Sequence, residues 1–422
     1  MAIPFFSIDF TFVEWKAFLK SHWRPFNTSE LNSKDLNVTL KNRFPDKNIT
    51  LFPSARMAFY FVLKSTFDEG DEVIFPAMGF PLYVKIALQL GLKPKFVDVE
   101  PNHYTIDHNS LKKIITPKTK GIVITHLFGH PCQMDEIMKI ADENNLKVIE
   151  DAAQSFDSFY KEKETGTFGH AGIFSCSLMK VPTTLGGGIL LTDDLSLHEK
   201  IAVELTSLKY SKKVSNALIL YIKNIISIFN SFPLIYTLLT HHIFGLIKRR
   251  NPNLLRKVLY SGMGLMSNKF DPWERPMLAK YQYYVGSVQF GRTREMTKKR
   301  MEYSDIFDNI LSKSNTITVL PRSECCFWNR QYHVIKLETR EHMNFVFNDM
   351  FRKGFHLMKE DVWDCTDYEF SSGIASDCIV SQTHTPALIR IPNNSLLNHT
   401  TIEQIAVELV ESSDKYFTDH ND

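Results

Sequence analysis

The stretch Lys147-Val-Ile-Glu-Asp-Ala-Ala-Gln154 decides the fold. A short β-branched run ends in two acids, so the carboxylate of Asp151 stands at the carboxyl end of a strand, where open α/β sheets hold their ligands. The same grammar repeats on either side. Glu72-Val-Ile-Phe75, Lys95-Phe-Val-Asp-Val99 and Gly121-Ile-Val-Ile-Thr125 precede it, and Gly172-Ile-Phe-Ser175 and Gly188-Ile-Leu-Leu-Thr192 follow, each a strand-length apolar run. Between them, 81–90, 107–115 and 134–144 carry apolar residues at helical spacing, which predicts crossover helices covering a mostly parallel sheet.

The chain has 422 residues, 44% hydrophobic and 23% charged, enough apolar material for a large core. No Gly/Pro/Ser-rich linker divides it, so the expectation is a large α/β domain over 1–294 and a smaller α+β domain over 295–422. The smaller part reads as a charged helix from Thr297 to Leu311, strands at Ile317–Leu320 and Tyr332–Leu337, and a closing helix from Thr401 to Ser412. Forty-nine Lys plus Arg against 47 Asp plus Glu leave no general field for gripping nucleic acid. Six cysteines form no CxxC pair and no zinc spacing, and no metal site is expected. The first residues carry Asp9 and no positive n-region, which argues against a secretory signal and for a reducing cytoplasmic compartment.

Lys180 lies among Leu178, Met179 and Val181. A lysine holds an aldehyde cofactor as a Schiff base only if its amine is neutral when it reacts, and protein walls favour that form. Taken alone, Lys180 reads first as an ordinary surface lysine and Asp151 as a helix cap; the order of motifs reverses both readings.

The order of parts goes further. Glu150-Asp-Ala-Ala-Gln154, Phe174-Ser-Cys-Ser-Leu-Met-Lys180 and the run Gly186-Gly-Gly188 resemble pyridoxal-phosphate enzymes of fold type I, the aspartate-aminotransferase fold. More narrowly, the chain resembles the DegT/DnrJ/EryC1/StrS family of sugar aminotransferases. Gly70-Asp-Glu-Val-Ile-Phe-Pro76, Gly91-Leu-Lys-Pro-Lys-Phe-Val-Asp98, His126-Leu-Phe-Gly129 with Met134-Asp135, and Leu191-Thr-Asp-Asp194 extend the likeness over about 50–195, with a weaker echo from Met277 to Tyr303.

The resemblance implies pyridoxal 5′-phosphate (PLP) as cofactor, with Lys180 as the Schiff-base lysine and proton carrier and Asp151 on the pyridine nitrogen. It further implies Gln154 at the ring oxygen, Phe80 stacked on the ring, and Ser175 with the amides of Ala55 and Arg56 on the phosphate. An amino donor such as glutamate, a keto-sugar acceptor (nucleotide-linked or lipid-linked) and a homodimer follow from the same likeness. One departure is the stretch Asp271-Pro-Trp-Glu-Arg-Pro-Met277, which lacks the asparagine that the family usually offers to the partner subunit's phosphate and leaves open whether Arg275 replaces it. The rival reading is a catalytically inactive member serving as a membrane-associated binding or regulatory module; retention of Lys180, Asp151 and Gln154 argues against it.

The chain also carries more residues between Asp194 and Met277 than that family typically does. The excess, an insertion over about 209–257, is apolar: Val214–Phe229 and Leu234–Ile247 flank Asn230-Ser-Phe-Pro233, and each is shorter than the roughly 20 residues that cross a bilayer. Lys209, Lys212 and Lys213 precede the pair, and Lys248, Arg249, Arg250, Arg256 and Lys257 follow it. Two readings stand: an in-plane anchor at the inner face of a membrane through 214–247, or an element packed on the protein's own body or a second subunit. His241-His242 has no third metal ligand at a suitable spacing.

Overall fold

The computed structural model describes residues 2–4, 8–23, 36–208, 214–251, 270–271, 278–360, 363–374 and 377–420. Arg275, Met277 and the basic residues Lys209, Lys212, Lys213, Arg256 and Lys257 lie outside the described residues.

The strands of the large sheet, in chain order, are β1 (Asn48–Phe52), β2 (Glu72–Pro76), β3 (Lys93–Val97), β4 (Thr119–Thr125) and β5 (Lys147–Asp151); after the short pair β6 (Phe159–Tyr160) and β7 (Lys163–Glu164) come β8 (Ala171–Ser175) and β9 (Gly188–Thr192). They hydrogen-bond in the order β1-β9-β8-β5-β4-β2-β3. The five strands from β8 to β3 are parallel, and β9 runs antiparallel to both of its neighbours. Helices α1 (Phe12–Trp23) and α2 (Leu36–Arg43) come first, and α3 (Ala55–Thr66), α4 (Pro81–Gln89), α5 (His108–Ile114), α6 (Met134–Glu143) and α7 (Leu195–Leu208) alternate with the strands.

Their boundaries have local causes. Ser54 caps α3 by accepting from the Met57 N–H at 3.2 Å, Asp107 caps α5 through the amides of Asn109 and Ser110, and Pro81 opens α4 at a position that needs no amide. The strand centres are apolar because both sheet faces are covered, and the charged residues stand mostly at strand ends. Phe59, Val73, Phe75, Ile149 and Ile173 pack on one side, and Ile74, Ile122, Ile124, Ile137 and Val148 on the other. Each such side chain contributes about 1.5–3 kcal/mol on burial.

Three elements differ from the sequence reading. Strand β3 sits two residues earlier than Lys95–Val99, because its parallel register runs from Glu72↔Lys93 to Pro76↔Val97; Pro94 is tolerated since β3 is an edge strand, and Val99 bridges to Ile106 instead. Strand β1 has no counterpart in that reading, its half-buried residues giving only a faint pattern. The helix expected at Thr297 begins far upstream: α8 (Val214–Asn230), α9 (His241–Arg250) and α10 (Lys280–Leu311) follow α7, and α10 is 32 residues long. Gly286 and Gly291 mask its continuity in the sequence. Gly286 is needed there, since a Cβ would lie 2.7 Å from Thr184 Cγ2.

The C-terminal part holds a four-stranded antiparallel sheet, β10-β12-β14-β13, from β10 (Thr318–Val319), β12 (His333–Lys336), β13 (Met358–Lys359) and β14 (Leu388–Ile391), while β11 (Cys326–Phe327) joins β6. Helices α11 (Arg340–Arg352), α12 (Ile379–His384) and α13 (His399–His420) complete it. Its core includes Phe307, Ile335, Val346, Ile389 and Leu409.

The described part of the inserted segment, 214–251, is helical, as expected, with a turn at Pro233–Ile235 and a wider π turn at Tyr236–Thr240 between α8 and α9. One face packs on the protein itself. Asn224 Nδ2 donates to Leu185 O at 2.8 Å and to Tyr281 Oη at 2.9 Å, Thr237 Oγ1 accepts from the Ala2 N–H, and His241 Nδ1 meets His356 Nε2 at 2.8 Å. The other face is exposed. Among the described residues, no helix is long and apolar enough to cross a membrane.

Candidate active site

Asp151 is the last residue of β5, paired with Thr125 on β4 and Ile173 on β8, and it is buried. Burial pushes its carboxyl up to about 6, against the opposing pull of the Ala153 N–H, Lys180, His126 and Thr125. Its neighbour Glu150 faces the other way. It accepts from Gly166, Phe168 and Gly169 amides at 2.6–2.7 Å and pairs with His126 Nε2 at 3.0 Å. Because His126 Nδ1 accepts from the Cys132 N–H, its Nε2 carries the hydrogen. Of the two adjacent acids, Glu150 is consumed in these contacts, while Asp151 Oδ1 accepts from the Ala153 N–H at 3.1 Å.

Beyond β8 the chain closes a loop on itself: Gly186 N–H and Thr184 N–H donate to Cys176 O, and Cys176 N–H donates to Gly187 O. Lys180 rides on this loop, half-buried, its Nζ 3.1 Å from Tyr332 Oη. The loop is strapped to the C-terminal part by Gln331 Nε2 and Tyr332 Oη, both donating to Met179 O.

Register brings a third group close. Phe52 on β1, Gly188 on β9 and Ser175 on β8 are consecutive partners across the sheet. A Cβ at Gly188 would fall 2.4 Å from Ala55 N and 2.6 Å from Ser54 C, so the N-terminus of α3 is seated on the bare glycine, next to Ser175. First-turn amides point out of a helix and favour anions, so Ala55 N–H, Arg56 N–H and Ser175 Oγ form a cradle suited to a phosphate. Tyr83, buried and stacked on Phe59 at 3.7 Å, has a phenol raised well above its ordinary value by burial and by Asp151, against the pull of Arg56, which marks how near it stands to both ends of the site.

Phe80 stands at the start of α4, edge-on to Tyr83 at 5.1 Å and 6.1 Å from Trp363. Gln154 is buried and spends its Oε1 on the Phe128 N–H at 2.9 Å, within a turn where Phe128 takes φ 56°. That bond leaves the Nε2 hydrogens as the part of Gln154 able to serve a ring oxygen.

Sequence reasoning missed what the C-terminal part brings to this cleft. The Arg390 guanidinium on β14 lies 4.0 Å from the centre of the Tyr332 ring and pairs with buried Glu360 at 3.3 Å. Burial pushes the Tyr332 phenol up, but Lys180, Arg390 and the hydrogen bonds from Lys180 and Gln331 bring it below its ordinary value. Trp363 and Cys365 cross the end of β2 through Gly79 N–H to Trp363 O and Cys365 N–H to Ala77 O. A buried arginine beside a tyrosine that follows Asn329-Arg-Gln331 carries no spacing signal that would have announced it.

The fold is that of the fold type I PLP-dependent transferases. A putative sugar aminotransferase, Spr1654 from Streptococcus pneumoniae in its PMP form, superposes with a TM-score of 0.77 at 17% identity, covering 100% of both chains. Residues 46–216 match the model of the DegT/DnrJ/EryC1/StrS aminotransferase family, the family that the motifs resemble. Among curated relatives, the GDP-perosamine synthase of Escherichia coli O157:H7 is 36% identical over 165 residues, 38% of this chain and 45% of the relative. The GDP-4-keto-6-deoxy-D-mannose 3-dehydratase of Escherichia coli O55:H7 is 36% identical over 141 residues, 33% and 36% of the two chains. The matches thus span less than half the length of these relatives.

Proposed function

We propose that this chain is a PLP-dependent aminotransferase that places an amino group on a keto carbon of a sugar, with glutamate as the amino donor. The observation that carries this reading is the meeting of Lys180, Asp151 and the α3 N-terminus at the carboxyl ends of β5, β8 and β1. The relatives named for GDP-linked sugars favour a nucleotide-linked acceptor; the apolar insertion keeps a lipid-linked one open. The active species is taken to be a homodimer, at the inner face of the membrane through peripheral contact of 214–247.

The residues fit the cofactor: a helix N-terminus seated on Gly188 for the phosphate, a buried acid at the end of β5 and an amine on the loop after β8. When bound, PLP supplies an electron sink next to the carbon that loses its proton. The amides of Ala55 and Arg56 and the Ser175 hydroxyl bind the phosphate. Asp151, whose carboxyl burial raises to about 6, would hold the proton on the pyridine nitrogen as the ionised carboxylate. Phe80 covers the ring and excludes water, and Gln154 Nε2 donates to the ring oxygen. Lys180 Nζ, held in place by Tyr332 Oη, would carry the proton between the substrate carbon and the cofactor's C4′ carbon.

The test is direct. Protein purified with PLP should show a visible absorbance band that borohydride abolishes while adding the mass of the reduced cofactor to the peptide containing Lys180. A band that persists in Lys180→Ala, or label on another lysine, overturns the assignment.

A further inference from the structure

We propose that α1 and the α8–α9 hairpin together form one in-plane docking surface for an anionic lipid bilayer. The proposal rests on the peripheral-membrane part of the reading above and not on transamination.

The first observation is adjacency. Trp15 of α1 lies 5.7 Å from the Phe229 ring of α8, and Phe18 stacks on Tyr221 at 5.7 Å with an interplanar angle of 16°. Both helices bury their inner faces in one cluster with Ile8, Phe10, Ile228 and Tyr281. Their outer faces are therefore neighbours, and both are apolar. On α1, Phe12 is 80% exposed, and Val13 and Leu19 are exposed beside Lys16 and Lys20. On the hairpin, Leu218, Ile222, Ile226, Leu234, Leu238 and Leu246 are exposed beside Lys223. An apolar surface of that extent on a water-soluble face marks an interaction site.

The second observation is charge, and it selects the occupant. From Leu205 through Phe270 the chain contains no aspartate or glutamate and ten lysines and arginines, leaving 39 basic against 47 acidic side chains in the rest of the protein. The one acid within α1, Glu14, is buried and paired with Arg292 at 2.6 Å, so it offers nothing to the outer face. Among the described residues of α1 and the hairpin, the exposed charged side chains are Lys16, Lys20, Lys223 and Arg250, so a second copy docked face to face would set like charges together. Anionic head groups over an acyl boundary match both properties at once, lysines to phosphates and leucines to chains. Among the described residues no helix is long and apolar enough to cross a membrane, and the proposed surface is one that lies in the plane of the interface.

The full-length protein is tested by co-sedimentation with phosphatidylcholine vesicles with and without phosphatidylglycerol. Binding is expected to the anionic vesicles alone and to weaken as salt is raised. Lys16→Glu/Lys20→Glu, and separately Leu238→Ser/Leu239→Ser, should each lower partitioning roughly tenfold or more. Melting temperature, sedimentation coefficient and transaminase activity in solution should match the unmodified protein. Loss confined to the hairpin variant overturns the shared surface while sparing peripheral attachment through 214–247. Indifference of the intact protein to anionic vesicles overturns both. Self-association removed by the same substitutions, without vesicle binding, overturns the lipid in favour of a second copy.

Discussion

The amine of Lys180 lies 3.1 Å from the phenol of Tyr332, whose ring is covered on one side by the Arg390 guanidinium, 4.0 Å from its centre. One residue comes from the loop after β8 and the other immediately precedes β12, 152 positions away. The contact joins the two parts of the chain at the atom proposed to carry the proton.

Tyr332→Phe should retain PLP and the visible band but turn over about a hundredfold more slowly, since a proton carrier without its hydrogen-bond partner is poorly held. Steady-state kinetics with the absorbance spectrum checks this; unchanged turnover removes Tyr332 from the site. Conversely, Lys180→Ala strips away a cation that favours the phenolate, so the Tyr332 titration should move up in pH. Ultraviolet difference titration of Lys180→Ala against Lys180→Ala/Tyr332→Phe reads that shift.

Asp151 gives a prediction about stability with a definite sign. Its carboxyl is raised to about 6 against an ordinary 3.8, so the folded state binds the proton more tightly, and this group's contribution to stability is full below pH 4 and is lost as pH rises through 6. Asp151→Asn removes that titration. In cofactor-free protein the variant should be more stable than the unmodified chain at pH 8 by up to about 3 kcal/mol, the difference vanishing at pH 4. Urea unfolding across that range measures it, and the same variant should be far slower in the proton-transfer half-reactions.

Gly188→Ala puts a methyl group 2.4 Å from Ala55 N, which is main chain and cannot rotate away. The start of α3 must shift, costing about 1–3 kcal/mol of stability and loosening the phosphate cradle. Equilibrium dialysis should show PLP affinity reduced, with Lys180 still reactive toward the bound fraction. Undiminished affinity would remove the α3 N-terminus from phosphate binding.

Asn224 is the buried peg of the insertion, donating to Leu185 O and Tyr281 Oη. Asn224→Ala should cost about 1–3 kcal/mol and raise hydrogen exchange selectively across α8. Uniform protection would mean that the outer apolar face, rather than this inner contact, holds the hairpin.

The sequence by itself determined the parallel sheet, because runs such as Gly121–Thr125 are apolar on both faces and only a doubly covered strand accepts that. It also marked Asp151 and Lys180, since strand ends and the order of motifs are local properties of the chain. It left the insertion open between membrane and body, and the structure divides it by face: Asn224 and Ile228 inward, Leu218 and Ile222 outward. Tertiary structure alone decided which of Glu150 and Asp151 faces the cleft, because strand alternation gives opposite directions but not which side holds His126 and the Gly166 amide. Likewise only the fold could bring Tyr332 and Arg390 to Lys180 or seat α3 on Gly188. Those contacts span sheets and long stretches of chain, and no periodicity in sequence records a distance closed by packing.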